Sequence, residues 1–455
     1  MGRAARIWLL PFLSALAFAC APSVPGSAEP PVQAPPDRPV TFLEGDFAAA
    51  LTRASTEKKL VFVDAWAPWC HTCLSMRDVV LSRPELARFE RSYVFVALDT
   101  DREESAEFLE RYRMRVWPTF FVLSPESGTV LAMHGGAMSL EEMTTLLEAG
   151  LATQKAGPSG APGQLALAQA HQAYVSKDMA RAASLYEEAA GLLGDDRRAE
   201  ALLGAMRALS ESGDPAKCAT YGREHAAGVP GSAAPVDFLY YLQSCAEKLP
   251  EGEDRAAAVA VVKARILALV ESPPAGSSTD DKADALAVAA EVMRDAKDDA
   301  GAKRFEERRL ALLEQAAKEA KTPEMAQVHD YERLMTLIAL GRANDAVTLL
   351  AERTKQLPNS YEAHARHAQA LIAAGRLKDA VAAIDRAIQL SYGPRRLGYL
   401  ARKADTLGKL GEKEAQIATL ELEVRGWTEQ GAGHADEGKL ADAEKRLAAA
   451  REARP

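Results

Sequence analysis

The sequence predicts a chain of two unlike parts: an α/β domain over residues 40–153 and an all-α solenoid of helical hairpins over residues 164–452. Three observations carry this. Between Leu60 and Met133, apolar runs of strand length alternate with helical stretches. Residues 154–163, QKAGPSGAPG, have the composition of a linker. Beyond them, alanine-rich amphipathic segments follow one another with almost no strand signal, and Gly341 and Gly375 mark one 34-residue period.

At 455 residues the chain is too long for one ordinary core. A composition of 48% hydrophobic and 26% charged residues is that of a soluble globular protein. The net charge of −9 argues against a nucleic-acid partner and offers no basic face to anionic lipid.

Residues 1–19 read as an export signal peptide. Arg3 and Arg6 precede an apolar run from Ile7 to Ala19 that is too short to span a bilayer and contains Pro11. The run ends Leu16-Ala17-Phe18-Ala19-Cys20, which fits Ala-x-Ala cleavage after Ala19 and also resembles the lipobox of bacterial lipoproteins. Residues 20–39 are rich in Pro, Ala and Ser and suit an extended tether. The expectation is an exported, periplasmic chain held to the membrane by a lipid on Cys20, with plain cleavage and release, or an uncleaved anchor, as the alternatives.

In the α/β domain, Leu60-Val-Phe-Val-Asp-Ala-Trp66 has the continuous apolar character of a strand buried on both faces, and Ala67-Pro68-Trp69 breaks it. A helix follows whose first turn carries Cys70 and Cys73 and whose body runs through Leu74, Met76, Arg77 and Val80 to Pro84. Tyr93–Leu98 is the next strand, and an acidic helix spans Glu103 to Tyr112. The segments Val116–Leu123 and Thr129–Met133 follow as strands. A last helix starts after Ser139, which forms a capping box with Glu142 and leads a helix to Gly150. The order is β-α-β-α-β-β-α.

The chemistry concentrates at Cys70-His71-Thr72-Cys73. A thiol attacks a disulfide only as thiolate, and a cysteine at a helix N-terminus gains from the unpaired amides and the positive dipole end, which lower its pKa from about 8.5. Cys70 is placed to be that nucleophile. Cys73, one helical turn on, can close a disulfide with it and release a mixed-disulfide partner. His71, when protonated, would add positive charge and push the pair towards the oxidising side. A zinc site is disfavoured because no second Cys or Cys-His pair with ligand spacing lies in this domain. No metal and no cofactor is expected.

Over residues 40–150, about a quarter of the chain, the sequence resembles the thioredoxin family. The resemblance rests on Trp66-Ala67-Pro68-Trp69-Cys70-His71-Thr72-Cys73, on Asp64, on Trp117-Pro118-Thr119, and on Gly135-Gly136. With Met76 and Leu98-Asp99-Thr100-Asp101, it looks most like the thioredoxin-like domains of exported thiol:disulfide interchange proteins. The resemblance implies that buried Asp64 accepts the proton of Cys73, and that Pro118 is cis and sets the Trp117 backbone opposite the Cys70 sulfur, where an extended client can pair with it. The lysine that often accompanies such an aspartate is not apparent on the neighbouring strand, where Phe95 falls. Trp69 and Trp117 would flank the sulfur with apolar surface.

In the second part, Ala368, Leu371, Gly375, Ala380, Ile384 and Ala387 have the spacing of a tetratricopeptide repeat, and Leu334, Leu337, Gly341, Ala346, Leu350 and Pro358 form the copy before it. Weaker copies surround Lys177-Asp178, Gly213 and Gly411, and Pro273–Ser278 interrupts the series as a loop. Solenoids present a long concave surface, so a protein or peptide partner is expected. Cys218 and Cys245 fall on successive helices at similar height and are expected to form a stapling disulfide.

Two functions follow. One is an exported thiol-disulfide oxidoreductase acting on a protein or peptide disulfide or thiol client, served by a redox partner protein, with the repeats recruiting a client or partner. The alternative is a non-catalytic repeat scaffold or adaptor lipoprotein whose α/β domain is structural or a recognition module.

Overall fold

The structure, a computed structural model, describes residues 38–452. The signal segment 1–19, the lipidation candidate Cys20 and nearly all of the tether lie outside the described residues. Among the described residues no helix is long and apolar enough to cross a membrane.

The α/β domain is built from β1 (Phe42–Glu44), α1 (Phe47–Glu57), β2 (Leu60–Trp66), α2 (His71–Met76), β3 (Tyr93–Asp99), α3 (Ala106–Arg111), β4 (Thr119–Leu123), β5 (Val130–Gly135) and α4 (Leu140–Ala156). The sheet order is β1-β3-β2-β4-β5. β3 runs parallel to β1 and β2, and β4 and β5 are each antiparallel to the strand before them in that order. The β-α-β-α-β-β-α series expected from Leu60 onward is present. β1 and α1 precede it without a sequence signal of their own. β1 has three residues, and α1 buries a thin stripe of Phe47, Ala50 and Ala54 behind an Asp46 cap whose carboxylate accepts from the Ala49 amide at 2.8 Å.

β2 and β4 are apolar throughout because both sheet faces are covered. Phe62, Phe95, Phe120 and Val122 point to one side and pack with Met76, Val80, Leu86, Met143 and Leu147. Val61, Val63, Phe121 and Leu123 point to the other and join Phe47, Phe108 and Tyr112. This second core does not end at the domain: it continues without a break into Leu167, Tyr174, Tyr186, Leu203 and Met206 of the repeats. The sheet and the solenoid therefore share one hydrophobic core, and burial of this size is what holds them together.

The joint between them is short. α4 starts on the expected capping box, in which Ser139 Oγ accepts from the Glu142 amide and the Glu142 carboxylate from the Ser139 amide. It runs on to Ala156, a single tight turn covers Gly157–Ser159, and the next helix begins at Pro162. Gly157, with φ of 53°, ends α4 in a conformation that suits a residue without Cβ.

Sixteen helices follow, from Pro162–Val175 to Glu437–Glu452. The hairpin turns share a left-handed residue followed by a helix cap: Gly341, Gly375 and Gly411 have φ of 72°, 73° and 77°, and Gly213 has 81°. Lys177 and Lys297 fill the same position with φ of 66° and 58°. The turn at Lys297 escaped the sequence pattern because a lysine stands where glycine is the signal. Asp178, Asp214 and Asp298 then cap the following helices by accepting from Arg181, Lys217 and Gly301 amides.

The solenoid holds the α/β domain from both of its ends, besides the contacts around the cysteine pair described below. Early repeats hold the β5–α4 side, where Arg207 Nη2 donates to the Gly135 carbonyl at 2.5 Å and the Glu142 carboxylate accepts from the Ser232 amide at 3.0 Å and its hydroxyl at 2.6 Å. Late repeats hold the end of β3. There the Tyr392 hydroxyl bonds the Asp99 carboxylate, and His434 Nε2 lies 2.9 Å from the Thr100 carbonyl.

Candidate functional site

β2, the central strand, carries Asp64 and Trp66 towards its C-terminal end, and the Ala67–Trp69 turn sets Cys70 at the N-cap of α2 with extended backbone. Cys70 and Cys73 are disulfide-bonded with Cα atoms 5.2 Å apart. The Cys73 amide donates to Cys70 Sγ at 2.9 Å, so the first sulfur takes up one of the amides that a helix start leaves unpaired. The same amide would stabilise a Cys70 thiolate in the reduced state. Ala67 and the two cysteines form a small buried cluster with Trp66, Trp69 and Trp117 around it.

The Trp117–Pro118 peptide is cis, at the position that the resemblance implies. Trp117 and Trp69 pack with ring centroids 5.3 Å apart. Each indole is fixed by its nitrogen: Trp69 Nε1 donates to Asp101 Oδ2 and Trp117 Nε1 to Thr100 Oγ1, both at 2.8 Å. Burial, reinforced by Asp99, pushes the Asp101 carboxyl up to about 7.

Asp64 is 1% exposed, and burial pushes its carboxyl up to about 6 against the opposing pull of Arg77. Arg77 Nε donates to Asp64 Oδ2 at 3.0 Å, and its guanidinium lies 3.6 Å from the centroid of the Trp66 ring. The cation absent from the neighbouring strand is thus supplied from the helix that follows the cysteines. In register, Asp64 faces Ala97, and Phe95 faces Phe62. Arg77 sits seven residues beyond Cys70, two turns along the helical path, a spacing that could have revealed it.

His71 departs from expectation. The solenoid covers it: its ring stacks on Tyr331 with centroids 6.0 Å apart, and its Nε2 stands 3.8 Å from Glu332 Oε1 with no hydrogen-bond partner. Burial lowers its pKa, and Arg366, Arg309 and His329 act in the same direction against Asp280. The positive charge expected beside Cys70 is therefore suppressed. His71, Asp284 and Glu332 bring donor atoms within 4.8 Å of one another, a set that could hold a cation. The guanidinium of Arg309 is already paired to Glu332 and opposes such an ion.

Cys70, His71 and Trp117 open on a cavity of about 370 Å³ whose far wall is solenoid. Two helices supply most of it, each with a polar stripe at i, i+4 and i+7: Glu362, Arg366 and Gln369 on Tyr361–Ala373, and Arg395, Tyr399 and Arg402 on Gly393–Leu410; Tyr331 on Asp330–Ala339 completes it. Arg395 lies 4.7 Å from the centroid of the Trp69 ring, and Arg366 Nη2 reaches the Trp69 carbonyl at 3.4 Å. These residues stand about 300 positions from Cys70, and no reading of the repeats as spacing of small residues and leucines could have placed them over the sulfur.

Cys218 and Cys245 lie far from this site in the chain. They are joined between the helices Pro215–His225 and Ala234–Glu247, with Cα atoms 6.0 Å apart.

Residues 47–151 match the family model of the thioredoxin-like domain, and residues 337–398 match that of the tetratricopeptide repeat. Thioredoxin-1 of Drosophila melanogaster is 37% identical over 70 residues, covering 15% of this chain and 61% of its own length. Thioredoxin-1 of Drosophila yakuba is 37% identical over 84 residues, covering 18% and 72%. A tetratricopeptide repeat protein from Parabacteroides merdae of known structure aligns at 10% identity over 64% of this chain and 100% of its own, with a TM-score of 0.40.

Proposed function

From the premise that this chain belongs to the thioredoxin-like family and carries tetratricopeptide repeats after that domain, we propose that it is a thiol-disulfide oxidoreductase. Cys70 is the attacking thiol and Cys73 the resolving one. The observation that carries the reading is the Cys73 amide on Cys70 Sγ at 2.9 Å, with that sulfur facing a cavity. A donor at the helix start favours the thiolate and also the same sulfur as a leaving group.

Asp64 completes the chemistry. A carboxyl displaced to about 6 can exchange a proton near neutral pH, and it serves as proton acceptor when Cys73 resolves the mixed disulfide. Trp69, Trp117 and Pro118 form the near wall of the client site. His71 acts as a neutral wall residue. The repeats form the far wall, so the solenoid's first partner is the chain's own catalytic domain. The N-terminal pattern supports an exported, periplasmic protein tethered by lipid at Cys20; mass determination of the mature N-terminus tests this, and an unprocessed Met1 would refute it.

The test of the redox reading uses a small neutral disulfide that can enter the cavity. The reduced protein should exchange with hydroxyethyl disulfide, Cys70→Ser should fall to the buffer rate, and Cys73→Ser should accumulate a mixed disulfide visible by mass. Equal rates for wild type and Cys70→Ser would favour the scaffold reading instead.

A further inference from the structure

The charge of the cavity over Cys70 is opposite to that of the chain. The protein carries a net charge of −9, yet Arg366, Arg395 and Arg402 meet around one cavity with Glu362 as the sole carboxylate lining it among the described residues. Glu362 is consumed locally: its Oε1 lies 3.3 Å from Arg395 Nε and its Oε2 lies 3.4 Å from Arg366 Nε. Among the described residues Arg402 has no carboxylate partner, and it is oriented by an amide, Nη1 donating to Gln369 Oε1 at 3.2 Å. Burial works against the charge of Arg395, but Glu362 and Tyr399 more than offset it and its pKa stays above the usual arginine value. Together the three side chains set a positive field over the cavity, one that salt can still screen because Arg395 is 36% exposed.

The size of the space limits what can enter. About 370 Å³ matches a small-molecule site or one extended peptide strand, and the solenoid wall excludes the face of a folded protein. Guanidinium groups recognise carboxylates by paired hydrogen bonds, which fixes the ligand's sign and its position relative to the sulfur.

We propose that the preferred substrate is a disulfide flanked by carboxylates, carried on a small molecule or on a single acidic peptide strand, and that Arg402 is its specificity-determining contact. This rests on the oxidoreductase reading. In the reducing direction the Cys70 thiolate attacks one substrate sulfur, the Cys70–substrate disulfide forms, and the first substrate thiolate leaves and takes up a proton. The Cys73 thiol, losing its proton to Asp64, then attacks Cys70 Sγ and expels the second substrate thiolate, which is protonated in turn. Two electrons pass from the dithiol to the substrate, and an external dithiol restores Cys70 and Cys73.

The experiment compares three disulfides of similar size on the reduced full-length chain: dithiodipropionate, a dianion; hydroxyethyl disulfide, neutral; and cystamine, a dication. Each rate is normalised to its reaction with free dithiothreitol. The dianion should react about tenfold or more faster than the dication, with the neutral disulfide between them, and the preference should shrink as salt is raised. In Arg402→Gln the dianion-to-dication ratio should fall towards one, and Arg402→Lys should retain much of it. Cystine peptides flanked by Asp or by Lys form the second arm. A rate for the acidic peptide above that of dithiodipropionate assigns the substrate to peptide, and the reverse assigns it to small molecules. A wild-type chain that exchanges with the neutral disulfide but treats dianion and dication alike overturns the charge proposal and leaves the redox reading standing. No exchange with any of the three overturns the redox reading itself.

Discussion

The molecule contains the same bond twice, in two settings. Cys70 and Cys73 are three residues apart, sit at the open end of one helix, and their cluster borders a cavity. Cys218 and Cys245 are 27 residues apart, join two helices, and are 0% and 1% exposed within the core shared by sheet and solenoid. Closing a loop of three residues removes little freedom from the unfolded chain, whereas closing one of 27 removes much more. On the oxidoreductase reading the first pair exchanges, and its short loop adds the less to stability. The second is arranged to hold the early repeats together, and no partner thiol can reach it in the folded chain.

The largest contrast should appear in reactivity. Mild reduction and alkylation of the native protein should label Cys70 and Cys73 and spare Cys218 and Cys245, all four being labelled only after denaturation. Mass spectrometry of the two samples reads the difference, and equal labelling of both pairs in the native state would erase the distinction drawn between them. In parallel, Cys70→Ser should abolish disulfide exchange while Cys218→Ser leaves it intact.

Stability should show the reverse. Replacing both Cys218 and Cys245 by Ser should cost about 3.5 kcal/mol, the loop-closure value for a separation of 27, while Cys70→Ser with Cys73→Ser should cost about half of that. Urea unfolding of the two double variants measures this. A smaller loss at Cys218 and Cys245 than at Cys70 and Cys73 would invert the assignment.

Asp64 gives a third, smaller test, which asks whether the buried carboxyl on β2 takes part in exchange at the cysteine pair. Its folded pKa of about 6 lies above the ordinary 3.8. The native state therefore binds this proton more tightly than the unfolded chain does. The resulting stabilisation is complete below the ordinary carboxylate value and is lost as pH rises through about 6. Between pH 4 and pH 7 wild type should lose about 2 kcal/mol relative to Asp64→Asn, the displacement converted and reduced for the adjustment of Arg77. Taking the difference between the two proteins removes the contribution of Asp101, which titrates in an overlapping range. The variant should also slow release of the mixed disulfide most above pH 6, where wild-type Asp64 is an effective base. An unchanged release rate across pH would remove Asp64 from the reaction and leave it a structural residue.

Much of this contrast could be read from the sequence, because it depends on short-range features. The strand Leu60–Trp66, the breaker before Cys70, the Cys-x-x-Cys spacing and the Ser139–Glu142 capping box are each local, and each appears in the structure. Gly341 and Gly375 reveal repeats because only a residue at ease in the left-handed region marks the turn, and Lys297 hides one by adopting that region without being glycine. The cavity is different in kind. Its arginines come from helices whose apolar faces announce a repeat and whose polar stripes look like solvated surface. Only the superhelical path, closed by Tyr392 on Asp99 and His434 on Thr100, turns those stripes towards Cys70. The suppressed charge of His71 has the same origin, since Tyr331 and Glu332 reach it from the solenoid.

That dependence allows the smallest prediction, in which a repeat residue tunes the reactive pair without touching either sulfur. Tyr331→Ala removes the ring stacked on His71 and admits water to the imidazole, so the His71 pKa should rise back towards its ordinary value. At pH 6 a larger fraction would then be protonated beside Cys70, favouring the thiolate, stabilising the reduced pair and making the disulfide more oxidising. The shift should be on the order of 30 mV or less, equivalent to about 1.4 kcal/mol, and should vanish at pH 8, where the imidazole is neutral in both proteins. Equilibration of the Cys70–Cys73 pair in glutathione buffers at the two pH values reads it, with Tyr331→Phe as the control that keeps the stacking ring. A shift of equal size at both pH values would mean that Tyr331 acts through packing and not through the charge of His71. No shift at either would mean that the solenoid wall selects what reaches the sulfur and leaves its potential alone.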